Sequence, residues 1–275
     1  MRRIVVAMAL VAAANGAHAA DLPDLTDLPI LRGGFRDGVI PRWQGFYVGG
    51  QAAYGSSDHN FNGATKDIVA QQLALTNVEQ VLQVSTWPVI GGKVSHQASA
   101  FGAFGGYNSQ WDDVVLGIDA SYMHGNFGGQ ASGTMARQTT SNDVLYTASS
   151  TAAASINFTD VLTLRGRAGY AWNSFLPYVF GGVALGLADS KRSSVVNSTG
   201  TYVGAPPATI QDYNVTYNTA ENKNGRLMVG YTFGVGAEVM LYNGLFARGE
   251  WEYVRFTGPI DTNINTVRGG LGYRF

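Results

Sequence analysis

From Trp43 onward the chain alternates apolar and polar positions with a period of two, in segments of about ten to thirteen residues, the repeat of strands with two unlike faces. Phe46, Val48, Gly50, Ala52 and Tyr54 alternate with Tyr47, Gly49, Gln51 and Ala53. Phe101, Ala103, Gly105 and Tyr107 share one face of a second segment; Val114, Leu116, Ile118, Ala120 and Tyr122 share one face of a third. Leu162, Leu164, Ala168 and Tyr170 mark a fourth, and Val179, Gly181, Val183 and Leu185 a fifth. The sixth runs on odd positions from Leu227 to Leu241. A seventh sets Leu245, Ala247, Trp251 and Tyr253 against Arg248, Glu250 and Glu252, and the last sets Val267, Leu271, Tyr273 and Phe275 against Arg268 and Arg274. Eight such strands predict an all-β fold, an eight-stranded antiparallel up-and-down transmembrane β-barrel.

The connections alternate in length. Long ones at 57–96, 125–156 and 189–224 alternate with short ones at 109–112, 173–176 and 242–244; about seven residues, 257–263, precede the last strand. Short periplasmic turns and long outer loops are the habit of bacterial barrels, which puts both termini in the periplasm. Parity agrees: Tyr107 and Val114 face one way across an even turn. Leu241 and Leu245 do so across an odd one, Tyr242-Asn243-Gly244, with Gly244 suited to a positive φ.

The two faces decide between lipid and water. The apolar face carries rings toward its ends, Tyr107, Tyr122, Trp172, Trp251, Tyr253 and Tyr273, placed for the bilayer interface. The other face is mostly Gly, Ser and Thr, too small and polar for a soluble core; a soluble β-sandwich with a wet outer face is the competing reading. Four acids, Asp119, Glu238, Glu250 and Glu252, share that polar face with Arg165, Arg167, Arg248 and Arg268. The inferred hairpin puts Glu238 opposite Arg248, and a symmetric last loop puts Glu252 opposite Arg268. Buried charges must be paired. These eight predict a lumenal ion-pair network, structural in one reading and a charged pore constriction in the other. Phe104 occupies an inward position where a polar residue is expected.

Residues 1–20 read as a signal peptide: Arg2 and Arg3, an apolar run from Ile4 to Ala14, then Ala17-His18-Ala19. Pro23, Pro29, Pro41 and Gly33-Gly34 mark 21–43 as a periplasmic lead-in, leaving 44–275 for the barrel. Composition narrows the function. Charged residues are 13% and net charge is −1, with no basic block, which argues against nucleic acid as a partner. Cys is absent, excluding disulfides, thiolate metal sites and thiol nucleophiles.

Several segments resemble a known family: Gln44-Gly45-Phe46-Tyr47-Val48-Gly49-Gly50, Gly106-Tyr107-Asn108, Pro177-Tyr178-Val179-Phe180-Gly181-Gly182-Val183-Ala184 and the ending Val267-Arg268-Gly269-Gly270-Leu271-Gly272-Tyr273-Arg274-Phe275. In this order they look like the small outer-membrane immunogenic proteins of α-proteobacteria, the opacity-like porin-family barrels. That resemblance implies an eight-stranded barrel in outer-membrane lipid, with the terminal aromatic Phe275 as the signal read by the barrel-assembly machinery. It also implies roles in envelope structure, weak pore activity or haem binding.

Other chemistry is sparse. Ile68, Leu75, Val78 and Leu82 fall near helical spacing within the first long loop, which has no Gly or Pro from Asp67 to Val84. The readings there are a short amphipathic helix over the barrel mouth or an unstructured loop. His59, His96 and His124 lie near the outer rim without ligand spacing, so no metal or cofactor is expected. A lipid hydrolase needs a Ser–His–acid set on the lipid face; His124 faces outward, but Ser121 and Asp119 face inward, so no catalytic residue is assigned. The expected function is a non-enzymatic structural or surface protein of the outer membrane. The alternatives are a narrow passive pore, or a loop-mediated receptor or adhesin for haem, another ligand or a host partner.

Overall fold

A computed structural model describes residues 42–205 and 211–275; the signal peptide expected at 1–20 and the lead-in up to residue 41 lie outside them. Within the described residues the barrel runs from Gly45 to Arg274. Its strands are β1 (Gly45–Asn60), β2 (Lys93–Trp111), β3 (Val114–Ser141), β4 (Val144–Tyr170), β5 (Phe175–Tyr202), β6 (Tyr213–Tyr242), β7 (Leu245–Phe256) and β8 (Asp261–Arg274). They form a closed ring in sequence order, with β8 antiparallel to β1. Phe46, Ile118, Leu164, Val229 and Leu271 point outward and exposed; Tyr47, Ser121, Arg165, Thr232 and Arg268 point into the ring and are buried. An apolar outer surface on a hydrogen-bonded ring suits lipid, where an unpaired backbone group costs several kcal/mol.

The apolar band has an upper limit. One register line crosses four strands at His124, Asp160, Leu187 and Leu227. Below it, β3 and β4 offer about eleven residues each, the length that crosses a bilayer. Above it, the expected loops at 125–156 and 189–224 are instead strand, and this corrects the sequence reading. β3 and β4 continue to a two-residue turn at Asn142-Asp143, both at positive φ (49° and 59°), the backbone of a type I′ hairpin. β5 runs on to Tyr202, and β6 begins at Tyr213. β3 to β6 thus rise above the line as a four-stranded sheet for about fifteen residues, roughly 50 Å along each strand at 3.3 Å per residue.

Two bulges explain why the alternation hid this. Phe158 pairs with Ala188 and Asp160 with Leu187, so Thr159 is an extra residue on β4. On β6, two residues, Asn224 and Gly225, oppose the single Asp189, with Gly225 at φ 62°. Each bulge inverts which parity faces inward. On β4 the even positions Leu162 and Leu164 face lipid, while Phe158, Ile156, Ala154 and Ala152 face the interior and are buried.

The turns also differ from expectation. At the lower end β2 and β3 are separated by two residues rather than four. Trp172 bridges to Phe175 across Asn173-Ser174, and Asn173 has φ 54°. Asn243-Gly244 forms the third turn (φ 42° and 85°), with Tyr242 opposite Leu245 and the odd residue, Leu241, taken up as a bulge. The register beyond is unchanged: Glu238 stands opposite Arg248.

The first connection is ordered and shorter than 57–96, because β1 and β2 remain paired up to Asn60 and Lys93. It holds two helices, α1 (Lys66–Gln72) and α2 (Asn77–Leu82), rather than one. Leu75, at φ 66° and 94% exposed, breaks the helical spacing. Thr76 then caps α2, its hydroxyl accepting from Glu79 N at 3.3 Å. Ile68, Val69, Leu73 and Val78 pack with Val84, Trp87, Ala148 and Val196, covering the inner face of the raised sheet.

Two deletions test the bulge. Without Thr159, Asp160 and Phe158 still stand opposite Leu187 and Ala188 in plain alternation, so 144–158 keep their facing. Without the ladder residue Asn157, residues 144–156 turn their apolar side away from the helices. Limited proteolysis is expected to cut the Asn157 deletion within 126–156 and to leave the Thr159 deletion as resistant as wild type; equal cleavage of the two contradicts Thr159 as the extra residue.

Candidate functional site

Inside the ring, side chains fill the lumen in layers. At the lower mouth Trp43, Tyr47, Phe104, Val115, Leu176, Tyr178, Phe180 and Phe246 form one apolar cluster. Trp43, expected as the last residue of the lead-in, is buried there, with its backbone N–H donating to Gln110 Oε1 at 2.5 Å and its ring Nε1 to the Asn173 carbonyl at 3.3 Å. At the upper mouth Met123, Phe127, Phe158, Val254, Phe256 and Ile264 form a second, joined by Phe61, Ala64 and Ile90 from the first connection. Phe158 and Phe256 stack at 4.6 Å.

Between these layers the eight charged residues read from the sequence lie together, all buried. Arg165 is the hub. Its Nε donates to Asp119 Oδ1 at 2.9 Å, and its Nη1 lies 3.1 Å from both Glu250 Oε2 and Glu252 Oε1. Arg248 donates from Nε to Glu250 Oε1 at 2.8 Å and from Nη2 to Asp119 Oδ2 at 3.1 Å. Arg167 Nη1 donates to Glu238 Oε1 at 2.8 Å. Arg268 pairs with Glu252 and donates to Ser121 Oγ at 3.1 Å. Four cations meet four anions, so the layer is formally neutral.

Two expected partnerships change. Glu238 faces Arg248 in the register, but their nearest atoms are 3.8 Å apart and the hydrogen bond of Glu238 goes to Arg167. Arg268 stands opposite Glu250, and Glu252 opposite Thr266, because the last connection is not symmetric about the expected centre. Arg268 still reaches Glu252 diagonally, two residues along the strand.

The pattern singled out the charges but not what surrounds them. Tyr47 OH donates to Asp119 Oδ2 at 2.8 Å, Tyr178 OH to Glu250 Oε1 at 2.7 Å and Thr232 Oγ1 to Glu252 Oε1 at 2.8 Å. Guanidinium groups lie over aromatic faces: Arg165 on Phe180 and Arg248 on Phe104, each at 4.2 Å, and Arg167 on Tyr178 at 3.9 Å. Phe104 therefore has a use at its inward position, as a cover for a cation. The inward parity of Tyr47, Phe104 and Tyr178 was the available signal.

The named interface aromatics all sit on the outer face. Trp172, Trp251 and Tyr273 are exposed, and Tyr107, Tyr122 and Tyr253 half-buried. The Phe275 ring is exposed beside Tyr273, and its backbone N–H donates to Phe46 O at 2.9 Å. The histidines have separate settings. His59 is buried between Thr262 Oγ1 (3.0 Å) and Ser57 Oγ (3.1 Å), His96 is exposed, and His124 Nδ1 is 2.8 Å from Asp160 Oδ1. Among the described residues no three His, Cys, Asp or Glu side chains are placed to hold a metal ion.

Above the lipid band, Arg192 ties the first connection to the raised sheet. It donates to Asp67 Oδ1 at 2.6 Å, to Ala64 O at 2.8 Å and to Glu221 Oε2 at 2.9 Å. Partial burial pushes the Asp67 carboxyl up, but the hydrogen bond and charge of Arg192 outweigh it and hold it below its ordinary value.

The family described as outer membrane protein beta-barrel domain matches residues 5–275. The 25 kDa outer-membrane immunogenic protein of Brucella ovis is 25% identical over 174 residues, 63% of this chain and 62% of that protein, so the match spans less than two thirds of the relative. Among solved structures, Neisserial surface protein A aligns over 84% of this chain and 97% of its own at 11% identity, TM-score 0.34. Ail, the attachment invasion locus protein of Yersinia pestis, aligns over 84% and 99% at 12% identity, TM-score 0.33.

Unfolding in detergent is expected to show Glu238→Gln and Arg167→Gln coupled by about 1–3 kcal/mol, while Glu238→Gln and Arg248→Gln are nearly additive. Arg165→Met leaves three carboxylates short of a cation and is expected to cost about 3–5 kcal/mol. Equal coupling of Glu238 to both arginines contradicts the geometry.

Proposed function

This chain belongs to the outer membrane protein beta-barrel family, and we propose that it is a closed, non-enzymatic structural barrel that holds a sheet out from the cell surface. It is a protein of the outer membrane. The observation that carries the proposal is the filled lumen, with a neutral charged layer sealed by an apolar cluster on either side. An eight-stranded barrel is just wide enough for its side chains to fill. A pore needs a wet, continuous path, and paired charges with no net sign give no ion a reason to enter.

In this reading the partners are outer-membrane lipid, met by the apolar band and its aromatic rims, and the barrel-assembly machinery, engaging the C-terminal strand with Phe275. The reading calls for no cofactor. What the cell gains is the raised part: a rigid sheet beyond the lipid, its inner face packed on α1 and α2.

Conductance decides between this and the pore reading. The protein lacking residues 1–20, refolded and inserted in a planar bilayer, is expected to be silent, with insertion checked by the gel shift between unboiled and boiled samples. Reproducible conductance steps that change with Glu250→Ala overturn the closed barrel.

A further inference from the structure

Closure ends where the lipid ends. Gly230 is the last β6 residue paired with β7, opposite Phe256, so residues 213–229 of β6 have a ladder on the β5 side alone. At the other side of the raised sheet, Gly102 of β2 approaches Tyr122 and Met123 of β3. Because β2 starts at Lys93, it leaves β3 near Ser132; the Val89 carbonyl of the first connection lies against Gly133, and about eight residues, 134–141, have a ladder with β4 alone. Among the described residues no backbone–backbone hydrogen bond outside the ladders reaches either stretch. A side chain reaches one: Gln72 Nε2 donates to the Asn218 carbonyl at 2.6 Å.

Long strand edges are usually blunted by proline, charge or cover. Neither 134–141 nor 213–229 contains proline. The outward positions of both edges are neutral, Thr134, Ala136, Gln138 and Thr140 on β3 and Asn214, Thr216, Asn218, Ala220 and Asn222 on β6.

We propose that these edges join neighbouring copies of the chain side by side in the membrane, β3 of one pairing antiparallel with β6 of the next. Direction selects this arrangement. All copies stand the same way up in the outer membrane, with β3 ascending and β6 descending. A β3 edge therefore meets a neighbour's β6 edge antiparallel, with inner and outer faces matched. Pairing β6 with β6 about an axis along the membrane normal sets the strands parallel with their faces reversed. The two edges lie on opposite sides of the sheet, so each copy offers one and accepts one. The contact is head-to-tail and extends to a row or a ring.

The native chain has no cysteine, which makes the test clean. Single variants Thr134→Cys and Gln138→Cys on β3, and Asn214→Cys, Asn218→Cys and Asn222→Cys on β6, alter exposed positions and scan the pairing register. Ser149→Cys, on the outer face of β4, measures random collision. The variants are refolded in phosphatidylcholine vesicles, singly and mixed, oxidised and run on non-reducing gels. Mixtures of a β3 variant with a β6 variant are expected to give dimers at least fivefold above the Ser149→Cys background. Each variant alone stays at background, and a chain carrying one cysteine on each edge gives a ladder of higher species. Cross-linking at background in every mixture overturns the proposal, as does cross-linking as strong within single variants as in mixtures. Neither result bears on conductance, so the closed-barrel reading stands or falls separately.

Discussion

Backbone hydrogen bonding in lipid is the constraint on which the rest of this structure depends. Within the bilayer there is no water to satisfy an open edge, so all eight strands must meet and close. Above it the constraint lapses. β1, β2, β7 and β8 stop sooner, while β3 to β6 continue, because water can satisfy their outer edges. A single sheet thus follows two rules along its length, and the line through His124, Asp160, Leu187 and Leu227 marks the change.

Closure creates an interior that must then be filled. With small residues on most inward positions, the larger inward groups converge near the middle, where Arg165 bridges three carboxylates. Burying eight charges is tolerable only because each has a partner, and the tyrosine hydroxyls and aromatic faces supply contacts that the acids and arginines do not give one another. The apolar clusters on either side keep water from competing for these bonds. Above them the polarity of the faces inverts. In lipid the apolar side is outward; in the raised sheet it is inward against α1 and α2, and the bulges at Thr159 and at Asn224-Gly225 perform the switch.

The lipid-spanning half was legible in the sequence because lipid demands an uninterrupted apolar face. The eight strands, their facing and the eight lumenal charges follow from period two alone. The raised sheet was missed for a specific reason. Its apolar positions, Tyr146, Ala148, Ala152, Ala154 and Ile156, keep the even parity of Leu162 and Leu164 while pointing the other way, and a bulge leaves no mark in a count of alternation. Asn142-Asp143 was the clue available, a turn pair flanked by alternating residues. The exchange of partners by Glu238 was not readable either, since it depends on how far each arginine reaches across the lumen rather than on register.

Amide hydrogen exchange on the refolded protein in detergent tests most directly whether one sheet runs from the lipid into the space above it. Residues 144–157 of β4 and 188–200 of β5, each flanked by ladders on both sides, are expected to exchange about as slowly as residues 161–170 within the band. Rapid exchange throughout 125–156 and 189–224, beside a protected lower barrel, would mean that the strands end with the lipid and the raised sheet does not exist.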